Sequence, residues 1–81
     1  MDFDYTGLRA VIKEKYNTFG AFALAMRVPY QRMSRLLTGK ASWHIDEAYE
    51  AAVKLGILED FGTYFFTLKS HKNEMRNGGT Q

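Results

Sequence analysis

Residues 18–40 read TFGAFALAMRVPYQRMSRLLTGK, and this stretch decides the fold. Thr18 can accept a hydrogen bond from the first turn of a helix, and apolar residues follow it at helical spacing. Pro29 has no amide hydrogen and disfavours a helical conformation before it, yet it suits the start of a new helix. Gly39 can end that second helix because glycine tolerates a positive φ. The pattern predicts two short helices joined by a tight turn, the second at residues 29–38.

The second predicted helix has one apolar face and one basic, hydrogen-bonding face. Met33, Leu36 and Leu37 have the spacing of a buried face. The opposite face contains no carboxylate, and its members are Tyr30, Gln31, Arg32, Ser34, Arg35 and Thr38. The net charge of the chain is only +2, but residues 27–40 hold four cations and no acid, whereas residues 41–60 hold five acids and one lysine. A polyanion is therefore expected to be attracted to the turn and the second helix.

This arrangement resembles the helix-turn-helix of phage Cro and repressor proteins over residues 5–66. The residues that carry the resemblance are Ala23 at the helix crossing, Val28 after the turn, and Met33 and Leu36 beneath the second helix. Arg27 departs from the family pattern, which has Gly in the turn, and a positive φ there costs a non-glycine residue about 1 kcal/mol. Phe19 stands where a phosphate-contacting Gln is common, so that contact is absent or supplied by another residue.

The resemblance implies a phage or prophage transcription regulator that reads the major groove of double-stranded DNA with residues 29–38. Helices of this kind direct their N-terminal half toward base edges. Gln31 can pair with adenine and Arg35 with guanine. The predicted base contacts are Pro29, Tyr30, Gln31, Ser34, Arg35 and Thr38. The predicted phosphate contacts are Thr18, Arg27, Arg32 and Lys40.

A single module of this size buries a small interface on DNA, which favours two copies on a two-fold operator. We therefore expect a homodimer, formed either in solution or only on DNA, with half-sites about 34 Å apart. An alternative function is a protein-binding module of the same fold that sequesters a partner repressor. The aromatic run Tyr64, Phe65 and Phe66 and the low net charge favour this alternative.

The rest of the chain predicts an all-α bundle of about five short helices in one domain, residues 1–68, followed by a disordered polar tail, residues 69–81. We expect a first helix within residues 1–17, with Asp4 as its N-cap, and a fourth helix at residues 45–55. Trp43 is expected to anchor the preceding loop on the core. The predicted apolar stripe of the fourth helix is Ile45, Ala48, Tyr49, Ala52 and Leu55.

The C-terminal part of the domain has two interpretations. Residues 59–64 favour a short fifth helix, whose aromatic side chains then close the core. Residues 63–68 also alternate well enough for a short strand, part of which could pair across a two-fold axis.

Residue types needed for catalysis or metal binding are sparse. The chain has no cysteine, and His44 and His71 lie far apart in sequence. Ser34 has no plausible base near it in the predicted fold. We therefore expect no cofactor, no metal and no enzymatic activity. No apolar run approaches the ~20 residues that span a bilayer, so we expect no membrane association. The resemblance to phage regulators implies a location in the cytoplasm of a bacterial host.

Overall fold

The computed structural model describes residues 3–68, and the prediction of a disordered tail at residues 69–81 lies outside them. Five α-helices follow one another, with a short 3₁₀ helix before the last. Their bounds are α1 Thr6–Tyr16, α2 Phe19–Met26, α3 Tyr30–Thr38, α4 Ile45–Leu55, the 3₁₀ helix Leu58–Asp60 and α5 Phe61–Phe65. The prediction of an all-α bundle of five short helices is confirmed.

The core is formed by apolar side chains from all five α-helices. Its largest fully buried members are Phe22, Phe65, Leu8, Ile12, Met33, Leu36, Leu37 and Leu55. Within residues 3–68 no polar or charged residue is buried. Burial of apolar surface therefore holds the helices together, since it stabilises by roughly 25 cal/mol per Å².

The turn between α2 and α3 has the predicted form. Arg27 adopts a left-handed conformation, with φ 61° and ψ 38°. Its amide donates to the Leu24 carbonyl at 3.1 Å, and the Val28 amide donates to the Ala23 carbonyl at 3.0 Å. These bonds satisfy carbonyl groups that the end of a helix leaves without partners. Pro29 then precedes the first residue of α3, where its missing amide hydrogen costs nothing.

The starts of α1 and α2 rely on side-chain oxygens. The Thr18 hydroxyl accepts from the Ala21 amide at 3.0 Å, which confirms the predicted cap of α2. Asp4 accepts from the Thr6 amide at 2.9 Å, but it stands one residue before the position that flanks α1. The prediction of Asp4 as the N-cap is therefore wrong by one residue. Between the helices, Asn17 has φ 73° and ψ −44°, the sharp bend of a γ-turn.

The buried face of α4 differs from the predicted stripe. Ala48, Ala51, Ala52 and Leu55 are buried. Ile45 and Tyr49, which the prediction placed inside, are 67% and 56% exposed, so their inclusion was wrong. The buried face is rotated toward Ala51 because small side chains let α4 lie close against its neighbours.

The C-terminal segment closes the core as a helix. Phe65 is buried, and its ring makes an edge-on contact with Trp43 at 5.0 Å between ring centroids. This contact confirms that Trp43 anchors the loop before α4. The strand interpretation of residues 63–68 is wrong, because within the described chain Leu68 makes only an isolated antiparallel bridge with Phe3. The backbone that a two-fold pairing would use therefore lies against the N-terminal residues of the same chain.

Candidate nucleic-acid interface

The predicted reading face lies on the outside of α3. Met33, Leu36 and Leu37 are buried, so the opposite side of the helix faces solvent. Tyr30 is 58% exposed at the first position. The other predicted base contacts are exposed, except Ser34, which is half-buried; they are Pro29, Gln31, Arg35 and Thr38. The structure therefore brings all six predicted base contacts to one helix and its N-terminal flank.

The Thr38 hydroxyl is already engaged within α3. It donates to the Ser34 carbonyl one turn earlier, at 2.9 Å. Its hydrogen is thus used inside the helix, and only the hydroxyl oxygen is left to accept a bond from a base.

A backbone turn and a side chain from α1 fix the end of α3. Gly39 has φ 82°, and the Lys40 and Ala41 amides both donate to the Arg35 carbonyl, at 2.9 and 3.2 Å. The guanidinium of Arg9 donates to the Leu37 carbonyl. These bonds satisfy carbonyls at the helix end and leave the exposed Lys40 just beyond it. The sequence did not indicate the bond between Arg9 and Leu37, because the two groups are 28 residues apart and no local pattern links them.

Arg32 is paired with Glu47 of α4. Its Nε donates to Glu47 Oε2 at 2.9 Å and its Nη2 donates to Oε1 at 2.7 Å, a two-pronged ion pair between α3 and α4. The same carboxylate accepts from the His44 amide at 3.0 Å. The hydrogen bond from Arg32 is the main cause that lowers the pKa of Glu47, and the bond from Glu47 raises the pKa of Arg32.

This pair changes the electrostatics of the candidate site in two ways. It neutralises Glu47, an acidic group that contacts α3, so a polyanion meets less repulsion there. It also engages the guanidinium that was predicted to contact phosphate, so that role of Arg32 stays a prediction. The sequence did not point to the pair, since Arg32 and Glu47 are 15 residues apart.

The N-terminal ends of α2 and α3 lie side by side. A Cβ built on Gly20 would lie 3.9 Å from Thr18 Oγ1 and 4.0 Å from Tyr30 Cδ1. The Tyr30 side chain at the start of α3 therefore lies near Gly20 in the first turn of α2. Thr18 stands at the N-terminus of α2, which favours anions. The Thr18 amide donates to the Tyr16 carbonyl at 2.8 Å, so the hydroxyl is the Thr18 group that remains to donate to a phosphate. Arg27 is exposed at the other end of α2.

A solvent-open cleft of about 260 Å³ runs along one side of α3. Its lining residues are Pro29, Gln31, Arg32, Arg35 and Ala41. The two side chains predicted to read adenine and guanine, Gln31 and Arg35, thus share one wall. Such an arrangement offers donors and acceptors on adjacent helical turns, which matches neighbouring base edges in a groove.

Neither a cluster of metal-ligand residues nor a membrane-spanning helix is found between residues 3 and 68. No three carboxylate or imidazole groups there approach closely enough to hold a metal ion. No helix in that part of the chain has both the length and the apolar content needed to cross a membrane.

Residues 1–68 match a family model described as a protein of unknown function, DUF739. No curated protein matches the chain.

Proposed function

The chain belongs to the DUF739 family, and we propose that it is a sequence-specific DNA-binding regulator of phage or prophage type that reads the major groove with α3. One observation carries the proposal. The helix after a tight turn exposes hydrogen-bonding and cationic side chains without a carboxylate among them, while its apolar side is buried. A helix held in this way can enter the major groove, which is wide enough to admit it.

Each predicted contact has a chemical role on DNA. Gln31 pairs with adenine and Arg35 with guanine, each through two hydrogen bonds. Tyr30 offers its ring edge to a thymine methyl group. Arg27 and Lys40 hold the phosphate backbone at the two ends of the reading helix and set its register. The remaining proposed contacts are Pro29, Ser34 and Thr38 to bases, and Thr18 and Arg32 to phosphates.

The regulator acts as a homodimer in this proposal. One module of this size covers too little DNA for a useful affinity, and two copies on a two-fold operator double the contact. The protein needs no cofactor or metal and performs no catalysis. Its action is to occupy an operator in the cytoplasm of a bacterial host.

A gel-shift titration tests the proposal, using the DNA upstream of its own gene and a scrambled duplex of equal length. We expect a preference for the upstream DNA and a steep fall of affinity between 50 and 200 mM salt, on the order of 10³-fold. Arg35→Ala is expected to lose roughly 1–3 kcal/mol of binding and to relax the preference at one base pair. The matched control is Lys15→Ala, which removes an exposed cation of α1 and leaves the preference intact.

Lys40→Ala separates a phosphate contact from a base contact. It is expected to weaken binding to all sequences equally and to reduce the slope of log K against log salt by about one unit for each half-site that is bound. Equal binding of the upstream and scrambled duplexes by the wild-type protein would contradict the proposal.

The alternative, a module that sequesters a partner repressor, depended on an exposed aromatic end. Much of that end is covered in the structure: Phe65 is buried, Tyr64 is half-buried and Phe66 is 50% exposed. The same gel shift discriminates the two functions. Absence of a shift, together with co-purification of a partner repressor, would favour the alternative.

A further inference from the structure

The helix α4 has a second apolar side that the described fold does not cover. Ile45, Tyr49 and Val53 are spaced four residues apart, so they lie one above another along the helix. Their exposed fractions are 67%, 56% and 51%. We call these three residues the α4 stripe. A continuous apolar surface of this kind is typical of a contact with another apolar surface.

The α4 stripe continues into an apolar groove. Ile45 forms part of the lining of a groove of about 310 Å³, together with Phe3, Trp43 and Phe65. The half-exposed Phe66 also lines the groove. The apolar surface therefore extends from the middle of α4 to the C-terminal aromatic residues.

We propose that a second copy of this chain covers the α4 stripe, with the two α4 helices packed antiparallel about a two-fold axis beside Tyr49. In this arrangement Tyr49 meets Tyr49 of the partner subunit, and Ile45 meets Val53 of the partner subunit. The stripe is thus complementary to itself, as a two-fold interface requires. This inference rests on the proposed function, which requires a dimer. It adds the surface through which the two copies contact each other.

Charges beside the stripe select the antiparallel direction. Asp46, Glu50 and Lys54 each follow a stripe residue by one position, so they form its polar edge. Asp46 lies in the first turn of α4 and Lys54 in the last. Antiparallel packing places Asp46 opposite Lys54 of the partner subunit at both ends of the contact. Glu50, which pairs with Lys54 of its own chain at 3.8 Å, then lies beside the two-fold axis. A parallel two-fold pair puts the two polar edges on opposite sides of the contact, so no such attraction forms.

The same arrangement leaves α3 free for DNA. Glu47, which binds Arg32, stands two positions after Ile45 and therefore about 200° around α4. The two α3 helices consequently lie on the outer sides of the dimer.

Sedimentation equilibrium without DNA tests the surface. We expect the wild-type chain to form a dimer with a dissociation constant below about 100 µM. Tyr49→Glu should raise this constant at least about tenfold, because it buries charges at the two-fold axis. The control is Leu24→Glu, which places the same charge at an apolar residue of α2 that is 80% exposed. A monomeric wild type, or equal effects of the two variants, would overturn the inference.

A charge exchange tests the direction independently of any effect of Tyr49 on folding. Asp46→Lys and Lys54→Asp should each weaken their own homodimer, because each creates like-charge contacts across the axis. Mixed one to one, the two variants should form a heterodimer in excess over both homodimers, since both contacts then join opposite charges. Native mass spectrometry of the mixture measures this, and a statistical distribution of dimers would contradict antiparallel packing.

These results separate the inference from the proposed function. Dimerisation is measured without DNA, so a chain that dimerises through α4 and binds no DNA would contradict only the DNA proposal. A Tyr49→Glu variant that dimerises like the wild type and still binds the upstream DNA would contradict only the α4 interface.

Discussion

The helices α3 and α4 both bury an apolar face, but the buried side chains differ in size. α3 buries long apolar groups, namely Met33, Leu36 and Leu37, whereas α4 buries three alanines and Leu55. The outward sides differ as well. α3 exposes cations and hydrogen-bonding groups, and α4 exposes the α4 stripe with a partly acidic edge.

The inward and outward faces of these helices therefore have separate roles. The inward faces determine how far each helix stands from its neighbours, because long side chains hold helices apart and alanine lets them approach. The outward faces determine which partner each helix can meet. A polyanion suits α3, and an apolar surface suits α4. The ion pair between Arg32 and Glu47 joins the two helices through a residue of the outward face of α3.

The largest effect on stability is expected from shortening a buried side chain of α3. Leu37→Ala removes a side chain that is fully buried, and the resulting cavity should lower the free energy of unfolding by about 2–5 kcal/mol. Urea denaturation followed by circular dichroism measures the loss. The control Leu24→Ala, on the exposed side of α2, should change stability by less than about 0.5 kcal/mol. Similar losses in both variants would show that α3 is not held by its buried leucine.

The inward face of α4 should respond to the opposite change. Ala51→Leu adds volume where α4 packs closely, and the expected loss of stability is about 1–3 kcal/mol. Ala10→Leu makes the same substitution at an exposed position of α1 and should be close to neutral. An Ala51→Leu variant as stable as the wild type would contradict the close packing of α4.

A smaller effect, of opposite sign, is expected at the turn before α3. Arg27→Gly relieves a positive φ of 61° and should stabilise the fold by about 1 kcal/mol. It should also weaken DNA binding uniformly, because it removes a proposed phosphate contact. Arg35→Gly makes the same substitution inside α3, where it should destabilise by about 0.8–1 kcal/mol. Thermal unfolding measures whether each variant is more or less stable than the wild type. Destabilisation by Arg27→Gly would contradict a strained turn at Arg27.

The smallest expected effect concerns the pair between α3 and α4. The pKa of Glu47 is lowered mainly by the hydrogen bond from Arg32, so the ionised carboxylate stabilises the folded state. That contribution is present above the ordinary glutamate pKa of about 4.3 and is lost as the pH falls below it. Glu47→Gln should therefore remove part of the acid sensitivity of stability, which denaturation at pH 3 to 7 measures.

The control for this pH dependence is Glu14→Gln, at an exposed position of α1. It should leave the slope of stability against pH closer to that of the wild type. If both variants keep the wild-type slope of stability against pH, the ion pair does not stabilise the contact between α3 and α4. If Glu47→Gln also increases the salt dependence of DNA binding by about one unit for each half-site, the freed Arg32 contacts a phosphate as predicted.

The sequence predicted those features whose signals are local. The hydroxyl of Thr18, the missing amide hydrogen of Pro29 and the positive φ of Gly39 each act within a few residues, so the two helices and their turn were predicted correctly. The outward position of Gln31 and Arg35 followed from the apolar residues opposite them.

Features that depend on distant contacts were missed. The buried face of α4 was misjudged because Ile45 and Tyr49 are strongly apolar, while Ala51 gives a weak hydrophobic signal. The pairing of Arg32 with Glu47 and the bond from Arg9 to α3 join residues far apart in sequence. No periodic pattern encodes such pairs, since they depend on how whole helices pack.

The central claim is that α3 meets DNA while the outward side of α4 does not. The most direct measurement is an amide NMR titration of the labelled chain with a duplex from the upstream region of its gene. The account predicts the largest shifts at residues 27–41, and small shifts for Tyr49 and Val53 on the α4 stripe. Shifts centred on Tyr49 and Val53, with Gln31 and Arg35 unchanged, would contradict it.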